Sequence, residues 1–285
     1  MLALIDADIL RYEVGSVGQD KDGNVKSFDF VKDVFDERIR TIVDGSGATD
    51  FRLFLTGDAR TLRIHSRTGD VAARYEPNFR EAIAAGKVYK GTRVKDKPFH
   101  WLNLTAYILA QGLSSDGGVS VSNGCEADDQ IAITARQMDR GSSIICSRDK
   151  DLRMVPGLHY GWECGKQPEF GPVEYDDLGT IELIRSKSGN KIRGGGFKFF
   201  CSQLLTGDVV DNIGGAKGIG PVAAYEILKD CTTERGCFSA VRDTYNGLDS
   251  ERWKELLTEQ CSLLWIVREL NEDGSLKHFN IEEWL

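Results

Sequence analysis

Apolar positions along the chain follow two spacings. Leu2–Ile5 is an unbroken apolar run, which predicts a core strand ending in the turn Asp6-Ala7-Asp8. From Phe28 to Val43 the apolar residues fall at 28, 31, 34, 35, 39, 42 and 43, a helical period that Gly45-Ser46-Gly47 stops. Phe51–Thr56 alternates and reads as a second strand. Pro98 opens a helix through Leu102, Ala106, Leu109 and Leu113. Val119–Val121 is a short strand. Glu126–Arg140 has apolar residues at 127, 131, 135 and 138, again a helix, and Ser143–Cys146 is a strand. Between Ala59 and Pro98 only the stretch 78–86 shows a period.

Strand and helix therefore alternate through the first half. That order predicts an α/β fold with an open, mostly parallel sheet flanked by helices. In such sheets ligands bind beyond the carboxyl ends of the strands. The second half reads differently. Thr180–Ile184 and Lys191–Arg193 around Ser188-Gly189-Asn190 suggest a β-hairpin, followed by helices over 197–206, 221–229, 235–245 and 251–270. A soft domain boundary falls near residue 190.

The 285 residues contain 41% hydrophobic and 28% charged residues, ordinary for a globular protein with a sizeable core. No apolar run approaches a membrane span, and the first residues lack the pattern of a signal peptide. A cytoplasmic protein without membrane partners is expected. Seven Cys with no C-x-x-C spacing read as reduced thiols, and four scattered His argue against zinc. The net charge of −8 speaks against nucleic acid until its distribution is seen. Ala59–Pro98 holds ten Lys/Arg against four Asp/Glu, a local charge of +6, and 185–198 has five basic residues and no acid. Basic segments on an acidic body suit local grip on a polyanion; the ordinary alternative is a pair of solvated loops.

Nine carboxylates stand out: Asp6, Asp58, Glu126, Asp128, Asp129, Asp149, Asp151, Asp208 and Asp211. Asp6, Asp58, Glu126 and Asp149 each follow a strand. Asp149 and Asp151, two apart on an extended backbone, would face the same side. Asp208 and Asp211 would lie one turn apart on a helix. Glu126 and Asp129 share a face of a helix start, with Cys125 or Glu126 as its cap. Acids at helix starts often only complement the dipole, and a lone strand-end Asp is often a turn residue. Together in one cleft they would repel unless divalent cations lay among them. Oxygen-only ligands select Mg²⁺ or Mn²⁺, and paired ions are a common device for phosphodiester hydrolysis.

The strings LIDAD at Asp6, FLTGD at Asp58, Glu126-Ala-Asp-Asp129, Ser147-Arg-Asp-Lys-Asp151 and TGDVVDNIGGAKGIGPVAA at 206–224 resemble the 5′→3′ exonuclease and flap endonuclease family. The likeness is nearest to its free-standing bacteriophage members. The motifs come in family order from residue 1 to about 230, and the tail from Leu263 to Leu285 resembles the phage ending. The resemblance implies a resolvase- or PIN-like core over 1–190 that includes a basic arch segment, 59–98. It implies a helix–three-turn–helix DNA-binding region with C-terminal helices over 191–285. It also implies that Lys90 and Arg93, in Tyr89-Lys-Gly-Thr-Arg93, face the scissile phosphate.

Asp128, Asp129 and Glu126 would hold one of two Mg²⁺ ions, for which Mn²⁺ can substitute. Asp149, Asp151 and Asp208 would hold the other, with Asp6, Asp58 and Asp211 shared or acting through water. Tyr89, Arg60, Arg63, Lys217, Gly218 and Gly220 would contact DNA; which of Arg60 and Arg63 supports the phosphate stays open, and Asp8 has no role. Gly218-Ile-Gly220-Pro221 reads as a glycine hairpin opening a helix, where free N–H groups bind a phosphate without reading bases. Family members often hold K⁺ there.

The expected function is a Mg²⁺-dependent 5′→3′ exonuclease acting on duplex DNA at a 5′ end, nick, gap or flap, in phage replication or recombination alongside replication proteins. The alternatives are a structure-specific flap endonuclease, a catalytically inactive DNA-binding scaffold and an RNA-cutting PIN-type nuclease.

Overall fold

The computed structural model describes all residues except 21, 68–74, 85–86, 93–95, 112–117 and 188. In chain order the elements are β1 (Leu2–Asp6), α1 (Ala7–Val17), α2 (Phe28–Ser46), β2 (Asp50–Thr56), α3 (Ala59–Arg67), α4 (Phe79–Ile83), α5 (Trp101–Gln111), β3 (Val119–Ser122), α6 (Ala127–Gln137) and β4 (Ser143–Cys146). Then come a 3-10 turn (Asp151–Met154), β5 (Gly157–Gly161), β6 (Phe170–Tyr175), β7 (Thr180–Ser186), β8 (Gly189–Gly195), α7 (Gly196–Thr206), α8 (Pro221–Leu228), α9 (Glu234–Leu248), α10 (Trp253–Leu264) and a closing 3-10 turn (Ile281–Glu283).

The chain divides into two compact units. The first holds Met1–Asn78, Lys95–Lys150 and Gly157–Glu174; the second holds Phe79–Val94, Asp151–Pro156 and Tyr175–Leu285. A boundary at 190 would cut the β7–β8 hairpin, whose register runs from Thr180↔Gly195 to Ser186↔Gly189. The hairpin stays whole because its ladder hydrogen bonds can only be made with both strands together.

The first unit is built on a sheet of order β3-β2-β1-β4-β5-β6. β1 pairs in parallel with β2 and β4, β2 with β3, and β4 with β5, so the mostly parallel sheet flanked by helices is present. Leu2–Ile5 of β1 and Ile144–Cys146 of β4 are apolar without alternation, as suits inner strands covered on both faces. Leu4, Ile5, Leu53, Phe54, Ile144 and Cys146 are fully buried. Phe35, Ile39 and Ile42 of α2 and Leu104 and Ile108 of α5 join the core formed on one side of the sheet.

Four elements were not foreseen: α1, α3, β5 and β6. Asp6-Ala7-Asp8 is no turn: Asp6 caps α1 directly, its Oδ1 accepting from the N–H groups of Asp8 and Ile9. Ala7, Leu10 and Val14 then face the core at helical spacing. β5 and β6 carry too few consecutive apolar residues to announce strands.

The second unit packs α7–α10 around an aromatic cluster. Phe197 stacks on Trp284 at 4.5 Å between ring centres, and Phe200, Trp265, Phe279 and Phe238 complete it. Arg80 of α4 is buried and donates to the carbonyls of Leu263 and Trp265. Its charge satisfies carbonyls left open at the end of α10 and complements the helix dipole there.

Candidate active site

In the first unit, Asp6 and Asp149 lie just beyond the carboxyl ends of β1 and β4, neighbouring parallel strands. Ser147 bridges them: its hydroxyl donates to Asp6 Oδ2 at 2.8 Å and accepts from the Asp149 N–H at 2.9 Å. Asp6 is buried, which disfavours its charge. The carboxylates of Asp8 and Asp149 add repulsion, and its pKa rises to about 7 against the pull of the Ser147 hydroxyl. Asp8 has a structural task. It pairs with the buried Arg11 and accepts the Thr56 N–H at 3.0 Å, tying the start of α1 to the end of β2.

Asp58 follows β2 and heads α3, accepting from the N–H groups of Arg60 and Thr61. Partial burial pushes its pKa up, but the Thr61 N–H and the Lys97 ammonium, 3.0 Å away, outweigh this and bring it to about 2. Arg60 and Arg63 are both exposed on α3.

At the third strand-helix junction the Thr56 hydroxyl accepts from the Ala127 N–H at 3.0 Å and fixes the start of α6. Glu126 is the N-cap, and its N–H donates to Asp129 Oδ2, half of a capping box. Asp129 is fully buried; Glu126 and Asp128 are half-buried.

In the second unit, Asp151 does not continue an extended strand from Asp149. It opens the 3-10 turn and accepts from Gln203 Nε2 on α7. The two acids fall in different units, so an extended backbone does not turn them the same way. Asp208 and Asp211 are not on a helix either. Asp208 Oδ1 accepts from the Val210 and Asp211 N–H groups, and the chain turns on itself, Asp208 bridging Ile213. An Asx turn competes with the helix at this spacing. Gly207 and Gly215 let the two arms touch: a Cβ on Gly215 would strike the Gly207 nitrogen and the Leu205 carbonyl oxygen.

This turn is joined to the basic motif. The Lys90 N–H donates to the Asp211 carbonyl at 3.0 Å, Tyr89 Oη reaches Asp211 Oδ2 at 3.4 Å, and the Thr92 hydroxyl donates to the Val210 carbonyl. Lys90 itself holds φ +55°, a conformation uncommon outside glycine. Arg93 lies outside the described residues, as does part of the 59–98 segment.

At the hairpin, Gly218 takes φ +82° and Gly220 caps α8 with Pro221 behind it. Lys217, Gly218 and Gly220 are exposed, and a Cβ added at Gly220 meets nothing within 4 Å.

Each unit thus gathers part of the acidic set. Among the described residues, no three His, Cys, Asp or Glu side chains stand close enough to form a ready metal site. Their oxygens are engaged by donors of the chain itself: Ser147, Lys97, Gln203 and the turn N–H groups. The donor set is nonetheless all oxygen, the chemistry of a hard divalent ion. Ser147, Thr56, Lys97 and Gln203 carry much of the positioning and were not singled out from sequence. Ser147 had a signal, its place between a strand end and an acid. Lys97 and Gln203 had none, since their partners lie 39 and 52 residues away.

No family model matches the chain. It is 27% identical over 195 residues to the flap endonuclease Xni of Shewanella halifaxensis (strain HAW-EB4), covering 64% of this chain and 67% of that one. It is 34% identical over 113 residues to the DNA polymerase I of Rhizobium leguminosarum, covering 38% of this chain but only 10% of the polymerase. A structure of T5 5′-exonuclease with bound zinc overlays loosely, with a TM-score of 0.47 and 13% identity, over 93% of this chain and 99% of that one. The chain that carries these acidic motifs is thus similar in sequence to a flap endonuclease over about two thirds of both chains and, over a shorter stretch, to a DNA polymerase I.

Proposed function

We propose that the protein is a divalent-cation-dependent nuclease that hydrolyses DNA phosphodiester bonds from 5′ ends. The observation that carries this reading is the buried Asp6 with Asp8 and Asp149 beside it at the ends of β1 and β4, where burial first and the two neighbouring carboxylates second raise its pKa. Carboxylates gathered at that cost are poised for a cation, and Mg²⁺ or Mn²⁺ suits oxygen donors. When bound, the ion supplies Lewis acidity toward phosphate oxygens and a water of lowered pKa. The residues Asp6, Asp58, Glu126, Asp128, Asp129, Asp149, Asp151, Asp208 and Asp211 are the proposed ligands. Ser147 aims the Asp6 and Asp149 carboxylates, and Thr56 holds the start of α6 that bears Glu126, Asp128 and Asp129. Lys90 and Arg93 offset charge on the phosphate, with Tyr89, Arg60 and Arg63 beside it.

Lys217, Gly218 and Gly220 grip a duplex phosphate through backbone N–H groups at the start of α8, and backbone carbonyls of the hairpin would hold K⁺. Gly220→Val tests this grip. The new side chain has open space, so the fold should persist, while affinity for long duplex arms should fall roughly tenfold and that for short single strands should hold. Equal binding of long duplexes by the folded variant makes the hairpin a structural junction.

A role in replication or recombination of phage DNA follows from the resemblance to free-standing phage enzymes. The second reading, a structure-specific flap endonuclease, draws on the similarity to Xni over about two thirds of both chains. Duplexes labelled at the 5′ or 3′ end, with Mg²⁺ or with chelator, test both. Short 5′-labelled products that need Mg²⁺ support the exonuclease, and flap-length products support the endonuclease. Intact DNA under all conditions overturns both and leaves a DNA-binding scaffold.

A further inference from the structure

All seven cysteines are free thiols, and four of them meet in the second unit. Cys201 of α7, Cys237 of α9 and Cys261 of α10 are buried, and Cys231, on the chain between α8 and α9, is half-buried. Cys231, Cys237 and Cys261 all lie close enough to Cys201 to repel charge on its sulfur. Within the group one pair is in direct contact, the Cys237 thiol hydrogen-bonding to Cys231. The Cys231 thiol in turn donates to the Ile227 carbonyl of α8 at 3.7 Å. Burial first, with Cys231 and Glu234 adding to it, pushes the Cys237 thiol up to about 12, while the Lys198 ammonium pulls the other way. Lys198 is itself buried and donates to the Lys229 carbonyl at 3.3 Å, two residues before Cys231. Cys231 is thus the thiol a solute can reach, and Cys237 is held behind it with a cation at its side.

We infer that Cys231 and Cys237 form an oxidation site for hydroperoxides, in which Cys231 reacts first and Cys237 closes a disulfide onto it. The Cys231 thiolate attacks one peroxide oxygen and the O–O bond breaks. The sulfur gives up two electrons and becomes a sulfenic acid, while the other oxygen leaves as an alcohol with the proton Cys231 has lost. The Cys237 sulfur then attacks the Cys231 sulfur, the S–OH bond breaks, and the hydroxyl leaves with the Cys237 proton as water. Two thiols and one hydroperoxide give one disulfide, one alcohol and one water; with hydrogen peroxide the alcohol is a second water. Lys198 favours the charged form of Cys237 that the second step needs. The sulfurs already touch, and no helix spans residues 229–233, so an S–S bond of about 2 Å can close without breaking α8 or α9. Cys201 and Cys261 stay out of the reaction, because burial keeps both thiols protonated and away from solvent. The site is independent of the nuclease reading.

The test treats the folded full chain with hydrogen peroxide, unfolds it, alkylates the remaining thiols and digests with trypsin. Trypsin cuts after Lys229, Arg235 and Arg242, so Cys231 and Cys237 fall in separate peptides, 230–235 and 236–242. In the oxidised wild type these peptides should appear joined, two hydrogens lighter than their sum, and dithiothreitol should part them. Cys201 and Cys261 should remain open to alkylation. Cys231 should be lost about tenfold faster than Cys164, which is also half-buried but has Glu13 rather than a thiol as its partner. Cys237→Ala should stop the reaction at a Cys231 sulfenic acid that dimedone captures, and Cys231→Ser should leave Cys237 reduced. A disulfide between any other pair overturns the proposal. So does a Cys231 sulfenic or sulfinic acid in wild type without the joined peptides, or loss of Cys231 no faster than that of Cys164. The wild-type peptide map decides by itself, so a variant that fails to fold does not shield the proposal.

Discussion

Asp6 and Asp58 stand at the carboxyl ends of neighbouring parallel strands, and each accepts the first N–H groups of the helix that follows. Their protons behave in opposite ways. Asp6 is buried against two further carboxylates and is pushed up to about 7; Asp58 is half-buried against Lys97 and is brought down to about 2. The same backbone setting therefore does not decide the charge state of a strand-end acid. Burial pushes both upward first; Asp8 and Asp149 then add to that push at Asp6, whereas the Thr61 N–H and the Lys97 ammonium overcome it at Asp58. An acid facing acids calls for a cation from solution, whereas an acid facing a lysine already has one.

The largest effect should come from thinning the acidic side of this pair. Asp149→Ala removes a proposed ligand and a repelling neighbour of Asp6, so cleavage should fall by about a thousandfold, with DNA binding within a few fold. Single-turnover assays and a binding titration check this, and near wild-type cleavage would remove Asp149 from the site.

A second experiment addresses the proton on Asp6. In the unfolded chain its pKa is near 3.8 and in the fold about 7. The metal-free fold therefore binds more protons between these values, and its stability from this group falls as pH rises through that window. Asp6→Asn keeps the cap and removes the charge. The variant should melt with wild type at pH 4 and about 5 °C above it at pH 8 in chelator. Mg²⁺ should narrow the gap by stabilising wild type. Identical melting at pH 8 in chelator would mean that Asp6 is not crowded.

The smallest effect should come from the other member. Lys97→Met should let the Asp58 pKa climb back toward the ordinary carboxylate range, seen by NMR titration of its side chain. A depressed pKa contributes stability above about 4 that is lost as pH falls toward 2. The pair is over a third exposed, so the cost at neutral pH should stay under about 1 kcal/mol. An unmoved titration would show that the helix N–H groups alone hold Asp58 down.

The acids of the sheet were legible because each follows an apolar run, and a parallel sheet sends its strand ends to one edge. α1 was hidden, although Leu10 and Val14 keep a helical period, because Asp6 serves at once as strand end and cap. Asp208 and Asp211 have spacing that suits a helix equally well. Only the side-chain bond from Asp208 to its own turn decides otherwise, and glycines on both sides permit it. Contacts such as Lys97 to Asp58 and Gln203 to Asp151 join residues whose separation has no periodic signature, so pattern alone could not supply them.

The division into two units has a consequence for inheritance. The chain passes from one unit to the other after Asn78, Val94, Lys150, Pro156 and Glu174. A gene cut at a single point therefore never yields the two units as separate products: a cut after Asn78 keeps the second unit whole but breaks the first, and a cut after Glu174 keeps the first whole but breaks the second. Cut after Glu174, the downstream piece lacks Phe79–Val94, with the Arg80 that closes the end of α10, and lacks Asp151, the partner of Gln203. Recombination that exchanges modules at linkers could not swap either unit between lineages. The two parts of the acidic set therefore do not come as exchangeable modules, and point substitution retunes one in the presence of the other.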